Sequence, residues 1–203
     1  MKLTPTKLKL LIEEVINEAA KGAQDLPEDV YVKVFEYRNR IFVMFTDKNG
    51  EQIEPINFDT DEDNPVWGDV SFVEEDRKNP CDKSAVIAVT TVADGWGPFL
   101  YDIAMEVATK RSNGLAPDRF IVSPEARRVW DYYNTKRGDV KSFQLDNEED
   151  SFKNGKQDDC GQSSSRMDAK LNGGEWKDSP LSKRYTKEPS IINSLGDKLI
   201  WEL

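Results

Sequence analysis

The run from Ser84 to Val92, of β-branched and small apolar residues, most constrains how this chain can fold. Its sequence SAVIAVTTV carries no charge, which is typical of a strand buried on both faces of a sheet. The turn ADGWGP follows at once, and Phe99 to Arg111 then places apolar residues at helical spacing. The sequence therefore predicts a central strand that leads through a tight turn into a packed helix.

Patterns on both sides of this unit predict an α+β fold. Val30 to Thr46 alternates in hydrophobicity around a polar centre and predicts an antiparallel hairpin, followed by a short strand at Val70 to Val73. The other predicted elements are a strand over Leu115 to Val122, a helix capped by Ser123 and ended by Gly138, a strand over Val140 to Leu145 and a final strand over Lys198 to Leu203.

Composition shifts divide the chain into four predicted segments. Residues 1–22 form an amphipathic leader helix, with its apolar side chains at helical spacing. Residues 28–146 form the core, and residues 176–203 form a C-terminal segment that packs back on it. Residues 147–175 contain few large apolar side chains, and we expect a long, flexible, acidic and polar insertion there.

Charge and composition exclude several classes of function. The 28 basic and 38 acidic residues give a net charge of −10, which argues against broad binding to nucleic-acid phosphates. No apolar run approaches the roughly 20 residues of a membrane-spanning helix, so we expect no membrane partner. The chain has no histidine, which removes Ser-His and Cys-His catalysis and histidine-ligated zinc.

The cysteines and the acidic loop predict neither a redox motif nor a metal site. Cys81 and Cys160 lack CxxC spacing, and we expect reduced thiols in a cytoplasmic setting, with a single bridge as the alternative. The acidic loop has the alternating acids of a calcium loop at Asp59, Asp61 and Asp63. Its glycine and closing-glutamate positions are missing, so the sequence predicts no metal.

The turn after the central strand is the strongest candidate for a binding site. Asp94-Gly95-Trp96-Gly97-Pro98 joins a strand end to a helix start, where free backbone amides favour an anion. Glycine allows a close approach, and proline at the first helical turn loses no useful donor. The alternative is a tight turn that needs its glycines for geometry alone.

This order of elements resembles the GNAT-type N-acyltransferases, whose signature places Gly-x-Gly/Ala before a helix with an apolar residue three positions on. Gly95, Trp96, Gly97 and Leu100 match, whereas Val92 stands where the family has Arg or Gln. The resemblance implies a mixed, strongly twisted sheet flanked by helices, with acetyl-coenzyme A or another acyl-coenzyme A as cofactor and a small-molecule or peptide amine as acceptor. The implied cofactor-binding residues are Val92, Ala93, Asp94, Gly95, Trp96, Gly97, Pro98 and Phe99.

The resemblance also implies direct attack of the amine on the thioester, with a tyrosine donating a proton to the leaving sulfur. Tyr132 and Tyr133 are the candidate donors, although Tyr133 shares an apolar stripe with Trp130 and could equally be a core residue. Glu75 is the candidate base, with Glu74 and Asp94 beside the same strands as alternatives. Each of these carboxylates could instead be an ordinary solvated side chain.

The first residues resemble the amphipathic leaders of large tailed phages that carry proteins into the prohead. Ile16-Asn17-Glu18-Ala19 fits the site of the prohead protease, with cleavage after Glu18, and residues 1–20 would contact a capsid or core partner. An ordinary docking helix is the alternative. This resemblance implies a protein of the host cytoplasm that is packaged in the particle, either as an enzyme or as a non-enzymatic virion protein on a degenerate scaffold.

Overall fold

The computed structural model describes residues 21–53, 66–74, 81–145 and 160–203. They form an α+β fold with one mixed sheet of eight strands in the order β6-β7-β5-β4-β3-β2-β1-β8, together with four α-helices. The strands are β1 Tyr31–Tyr37, β2 Arg40–Thr46, β3 Gly68–Val73, β4 Ala85–Val92, β5 Leu115–Ala116, β6 Val140–Gln144, β7 Lys183–Lys187 and β8 Leu199–Glu202. The helices are α1 Gly97–Arg111, α2 Pro124–Thr135, α3 Ser163–Asn172 and α4 Ile191–Leu195.

The first half of the sheet is an antiparallel meander from β1 to β4. The predicted hairpin is confirmed, and its two-residue turn has Arg38 and Asn39 at φ values of 49° and 62°. Positive φ at both central residues matches the right-handed twist of the two strands. The turn therefore fixes the register of β1 against β2.

The predicted central position of β4 is confirmed, because β3 and β5 flank it on its two sides. The prediction that both of its faces are buried is wrong. Its side chains alternate, and Val89 is 47% exposed while Ala85 is fully buried. Helix α1 packs against one face of the sheet in the main core, whereas Val89 and Thr91 of β4 lie on the other face and are exposed.

Helix α1 is the centre of the core, and its ten residues from Phe99 to Ala108 are all buried. It packs against the meander on one side and against β7 and α2 on the other. Helix α2 begins as predicted, because the Ser123 hydroxyl accepts a hydrogen bond from the Ala126 amide at 3.2 Å. It ends at Thr135, three residues before the predicted stop at Gly138.

The predicted strand over Leu115 to Val122 is wrong beyond Ala116. Pro117 provides no amide for a ladder, and the Asp118 carboxylate then accepts hydrogen bonds from the amides of Phe120 and Ile121 at 2.7 and 2.8 Å. This local turn replaces strand pairing. It leaves the Phe120 and Ile121 side chains exposed.

The C-terminal strands enter the sheet at two separate places. Strand β7 lies between β5 and β6 and is antiparallel to both. Strand β8 lies beside β1 and is parallel to it. Helices α1 and α2 therefore connect the meander to a second half of the sheet, which contains β5 and β6. Strand β7, made later in the chain, lies between these two strands and completes this half.

The predicted flexible insertion over residues 147–175 contains helix α3, so the loop prediction is wrong for Ser163–Asn172. Asp168 of this helix forms an ion pair with Arg127 of α2 and accepts a hydrogen bond from the Ser179 hydroxyl at 2.6 Å. A polar network, rather than apolar packing, holds the helix in place. Hydrophobic patterning therefore gives no signal for it.

The prediction that the two cysteines are reduced thiols is wrong, and the alternative, a single disulfide, is confirmed. Cys81 and Cys160 form a disulfide that closes a loop of 79 residues. It joins the start of the β4 segment to the segment that leads into α3.

Residues 1–20 of the leader helix predicted over residues 1–22 lie outside the described residues, as do Asp59, Asp61, Asp63 and Glu75, and Lys21 and Gly22 are not helical. Within the described ranges, no helix is long and apolar enough to cross a membrane.

Candidate functional site

Backbone hydrogen bonds hold the turn between β4 and α1, two of them from outside it. The Lys21 amide donates to the Gly95 carbonyl oxygen at 3.3 Å, and the Ala93 amide donates to the Trp67 carbonyl oxygen at 3.1 Å. Gly95 has a φ of 81°, a conformation that favours glycine. The Trp96 amide donates to the Ala93 carbonyl oxygen at 3.1 Å, and the Leu100 amide donates to the Trp96 carbonyl oxygen at 3.2 Å. The Trp96 amide is thus used inside the turn, contrary to the expectation that the turn leaves its amides free.

Other amides of the same turn remain open. Among the described residues, none accepts a hydrogen bond from the amides of Gly95, Gly97 or Phe99. A Cβ atom built on Gly97 would meet no heavy atom of the described residues within 4 Å, and the φ of Gly97 is not positive. Gly97 is therefore not required by sterics or by backbone conformation, whereas Gly95 is required by its φ.

The Trp96 side chain anchors the turn to the core. It is 1% exposed and makes edge contacts with Phe45 and Phe99 at centroid distances of 5.2 and 5.6 Å. The Lys21 ammonium lies 5.2 Å from its ring centroid. The candidate cofactor-binding residues divide into three groups by exposure. Ala93, Trp96 and Phe99 are buried, Asp94 is exposed, and Val92, Gly95, Gly97 and Pro98 are partly exposed.

The open side of β4 adjoins this turn. Strand β5 pairs with β4 only at Ala85 and Val86, near the start of β4. From Ile87 to Val92 no described strand pairs with β4 on that side. Strand β5 ends at Ala116, so the rest of β4 has no parallel partner among the described residues. The carboxyl ends of strands are where α/β proteins commonly bind ligands.

The two candidate tyrosines differ in accessibility. Tyr133 is 1% exposed and its hydroxyl donates to the Pro98 carbonyl oxygen at 2.9 Å. Burial, reinforced by the negative charge of Asp102, raises the pKa of Tyr133 well above its usual value. Tyr132 is partly exposed, and the Arg137 guanidinium lies 5.9 Å from its ring centroid. As placed, Tyr133 is a core residue that links α2 to the start of α1, and Tyr132 is the accessible one.

The structure does not bring the described candidate bases, Glu74 and Asp94, into contact with each other or with the candidate tyrosines. Arg111 donates to both carboxylate oxygens of Glu74, at 2.5 and 2.9 Å. Asp94 is exposed in the turn, and Glu75 lies outside the described residues. Hence neither Glu74 nor Asp94, the two described candidate bases, contacts Tyr132.

The sequence reasoning missed Asp69 on β3. Its cross-strand partners are Met44 and Thr91, it is partly buried, and burial raises the pKa of its carboxyl group. The signal was present, because strand alternation places Asp69 on the face opposite Val70. A second polar network was also missed, in which buried Arg119 donates to the carbonyl oxygens of Gly161 and Leu181 at 2.9 and 2.7 Å.

Comparison with family models, with curated proteins and with solved structures finds no match for this chain. Within the described part of the chain, no three cysteine, aspartate or glutamate side chains are arranged to hold a metal ion.

Proposed function

We propose that the chain is a GNAT-type N-acyltransferase that uses acetyl-coenzyme A or another acyl-coenzyme A. The turn after β4 carries the proposal. No described residue accepts a hydrogen bond from the amides of Gly97 and Phe99, and no described heavy atom lies within 4 Å of a Cβ atom built on Gly97. Such a helix start suits the pyrophosphate of the cofactor, since its amides and dipole favour negative charge.

The sheet offers a second line of support. An antiparallel meander leads into β4, the helix after the turn returns to a parallel β5, and β7 then lies between β5 and β6. This order resembles that of the GNAT family. The side of β4 that β5 leaves unpaired beyond Val86 would take the extended arm of the cofactor, with its thioester deeper along β4.

The proposed reaction is a direct transfer. The amine nitrogen forms a bond to the thioester carbonyl carbon, the carbon–sulfur bond breaks, and the sulfur leaves with its electron pair and takes up a proton. Tyr132 is the proposed donor of that proton, since the Tyr133 hydroxyl is already used at Pro98. The proton lost by the amine passes to a water molecule or to a carboxylate. Glu75 is the proposed base.

Calorimetric titration with acetyl-coenzyme A tests the cofactor site. Wild-type protein should bind saturably, and Gly97→Asp should bind at least about tenfold more weakly, because it places a carboxylate where the pyrophosphate would lie. Gly97→Asn is the matched control with nearly the same shape and no charge. It should bind within about threefold of wild type, allowing for small contact changes.

No saturable binding to wild type, or equal binding to Gly97→Asp and Gly97→Asn, would contradict the proposal. The space around Gly97 makes both substitutions sterically acceptable. Thermal unfolding of the two variants checks that both remain folded.

The buried hydroxyl of Tyr133 favours a second candidate, a non-enzymatic phage virion protein on a degenerate scaffold of this type. For this candidate, residues 1–20 are the proposed packaging leader. Mass spectrometry of purified particles should find the chain beginning at Ala19. A chain found only at full length and outside the particle would remove this candidate.

A further inference from the structure

The sequence contains Asn-Gly pairs that begin at Asn49, Asn113, Asn154 and Asn172, and Asn154 lies outside the described residues. In such a pair the amide nitrogen of the glycine can attack the side-chain amide carbon of the asparagine, because glycine has no side chain to hinder the approach. The attack needs a backbone that can move and an amide that no acceptor holds. The surroundings of the three described glycines therefore determine which pair can react.

The first two described pairs are held by their surroundings. The Gly50 amide donates to the Asp47 carbonyl oxygen at 3.1 Å. Gly114 is buried, and a Cβ atom built on it would lie 2.4 Å from the Tyr185 carbonyl oxygen. Either glycine must therefore give up a hydrogen bond or a packed position before its nitrogen can reach the asparagine side chain.

Gly173 has neither constraint. It follows the last residue of α3, it is exposed, and no heavy atom of the described residues lies within 4 Å of a Cβ atom built on it. Among the described residues, none accepts a hydrogen bond from its amide. A second exposed glycine, Gly174, follows it, and two glycines in succession give the backbone its greatest freedom. The Gly173 nitrogen can therefore approach Asn172 without losing a described contact of its own.

The Asn172 side chain belongs to the polar network that holds α3. Its Nδ2 atom donates to a carboxylate oxygen of Asp168 at 2.7 Å and to the Asp168 carbonyl oxygen at 3.3 Å. Asp168 is 6% exposed, pairs with Arg127 and accepts a hydrogen bond from the Ser179 hydroxyl. A carboxylate in place of the Asn172 amide would have no N–H to donate and would repel Asp168.

We propose that Asn172-Gly173 is a site of spontaneous deamidation and that its product loosens α3. The Gly173 nitrogen forms a bond to Cγ of Asn172, the bond from Cγ to Nδ2 breaks, and ammonia leaves with the proton of the Gly173 amide. Water then opens the cyclic imide to aspartate or isoaspartate. The new carboxylate lies at the carboxyl end of α3, where the helix dipole disfavours negative charge. The site does not depend on the proposed acyl transfer.

Peptide mass spectrometry of the full-length wild type, sampled during a long incubation at mildly basic pH, tests the site. We expect deamidation at Asn172 to be at least about fivefold faster than at Asn49 and Asn113, because the other two glycines must first leave their contacts. The same measurement in urea is the matched control. There the three pairs should react at rates within about threefold of one another, since unfolding removes the contacts that distinguish them.

Hydrogen exchange of the α3 amides measures the effect on the helix. Asn172→Asp should raise their exchange rates at least about fivefold, because it removes a hydrogen bond and adds repulsion from Asp168. Incubated wild type should move toward the rates of this variant. Asn172→Gln is the control: it keeps a side-chain amide but would have to form a larger ring, so its α3 exchange should stay constant during the same incubation.

The proposal is overturned if Asn172 reacts no faster than Asn49 and Asn113 in the folded protein. It is also overturned if α3 exchange in incubated wild type stays at its starting rate while deamidation proceeds. If a variant does not fold, wild type alone decides. The comparison of the three asparagines tests the site, and incubated against fresh protein tests the effect on α3.

Discussion

Glu106 shows how one side chain can fix the end of the chain to the core. Its carboxylate is fully buried in α1 and pairs with the ammonium of Lys187. It also accepts the amides of Ser190, Ile191 and Ile192, each at 2.9 Å. The carboxylate thus binds β7 and the amino end of α4 at the same time, where the helix dipole favours negative charge.

Glu106→Gln should lower the free energy of unfolding by about 2–4 kcal/mol, because it leaves the buried charge of Lys187 with only the more distant carboxylate of Asp139, at 3.7 Å. Urea unfolding of both proteins measures the difference. Glu188→Gln is the control at an exposed glutamate close by and should change stability by less than about 0.5 kcal/mol. A loss as small as that of the control would contradict the role of Glu106.

The decrease in unfolding free energy caused by Glu106→Gln should depend on pH. Burial alone would raise the pKa of Glu106, but hydrogen bonds from Lys187 and from the amides of α4 outweigh it and lower the pKa below 4.5. A lowered pKa contributes stability that is present above pH 4.5 and is lost as the pH falls through the folded value. The difference in unfolding free energy between wild type and variant should therefore shrink below that pH, and a constant difference would contradict this assignment.

The two turn glycines should respond in opposite ways to alanine. Gly95→Ala should destabilise by about 1–2 kcal/mol, because its φ of 81° is costly for a side chain. Gly97→Ala should stabilise by about 0.4–1 kcal/mol, since alanine fits its φ and restricts the unfolded chain. Thermal unfolding of both variants measures this, and a loss of stability in Gly97→Ala would show that Gly97 has a structural role.

At the scale of elements, the disulfide connects the start of the β4 segment with the segment before α3. Closing a loop of 79 residues restricts the unfolded chain and should contribute about 4 kcal/mol. A reductant should therefore lower the unfolding free energy of the wild type by about that amount. The double variant Cys81→Ala, Cys160→Ala should be insensitive to reductant, and a wild type equally insensitive would contradict the contribution.

The elements that the sequence predicts are those with local signals. The alternation around Arg38-Asn39 and the Ser123-Pro124 cap define β1, β2 and the start of α2 through contacts a few residues apart. Helix α3 has no such signal, because Asp168 depends on Arg127 and Ser179 from distant parts of the chain.

The candidate site follows the same rule. The turn could be predicted because strand, glycine and helix are adjacent in the sequence. The burial of Tyr133 and the ion pair of Glu74 could not be predicted, because each depends on a partner distant in the sequence. Tyr133 bonds Pro98, and Glu74 pairs with Arg111.

At the scale of the whole molecule, β8 protects the edge of the meander. It pairs with β1 in parallel from Leu199 to Glu202, and Glu202 binds Lys33. Removing residues 199–203 should expose the edge of β1, which then becomes available for pairing between molecules.

Light scattering and thermal unfolding test this truncation. We expect a lower unfolding midpoint and concentration-dependent association. Trp201→Ala, which keeps the backbone of β8 while removing a side chain that is 39% exposed, is the control and should associate no more than the wild type does. A truncated protein with unchanged association would show that β8 does not protect this edge.

The place of β7 has a consequence for synthesis on the ribosome. Strands β5 and β6 are made first, yet the strand that joins them is Lys183–Lys187. The outer edge of β1 likewise stays unpaired until residues 199–202 have been made. A nascent chain halted before Lys183 would leave both halves of its sheet unfinished, so chaperone binding should be strongest on such chains and should decline once residues 183–203 have emerged.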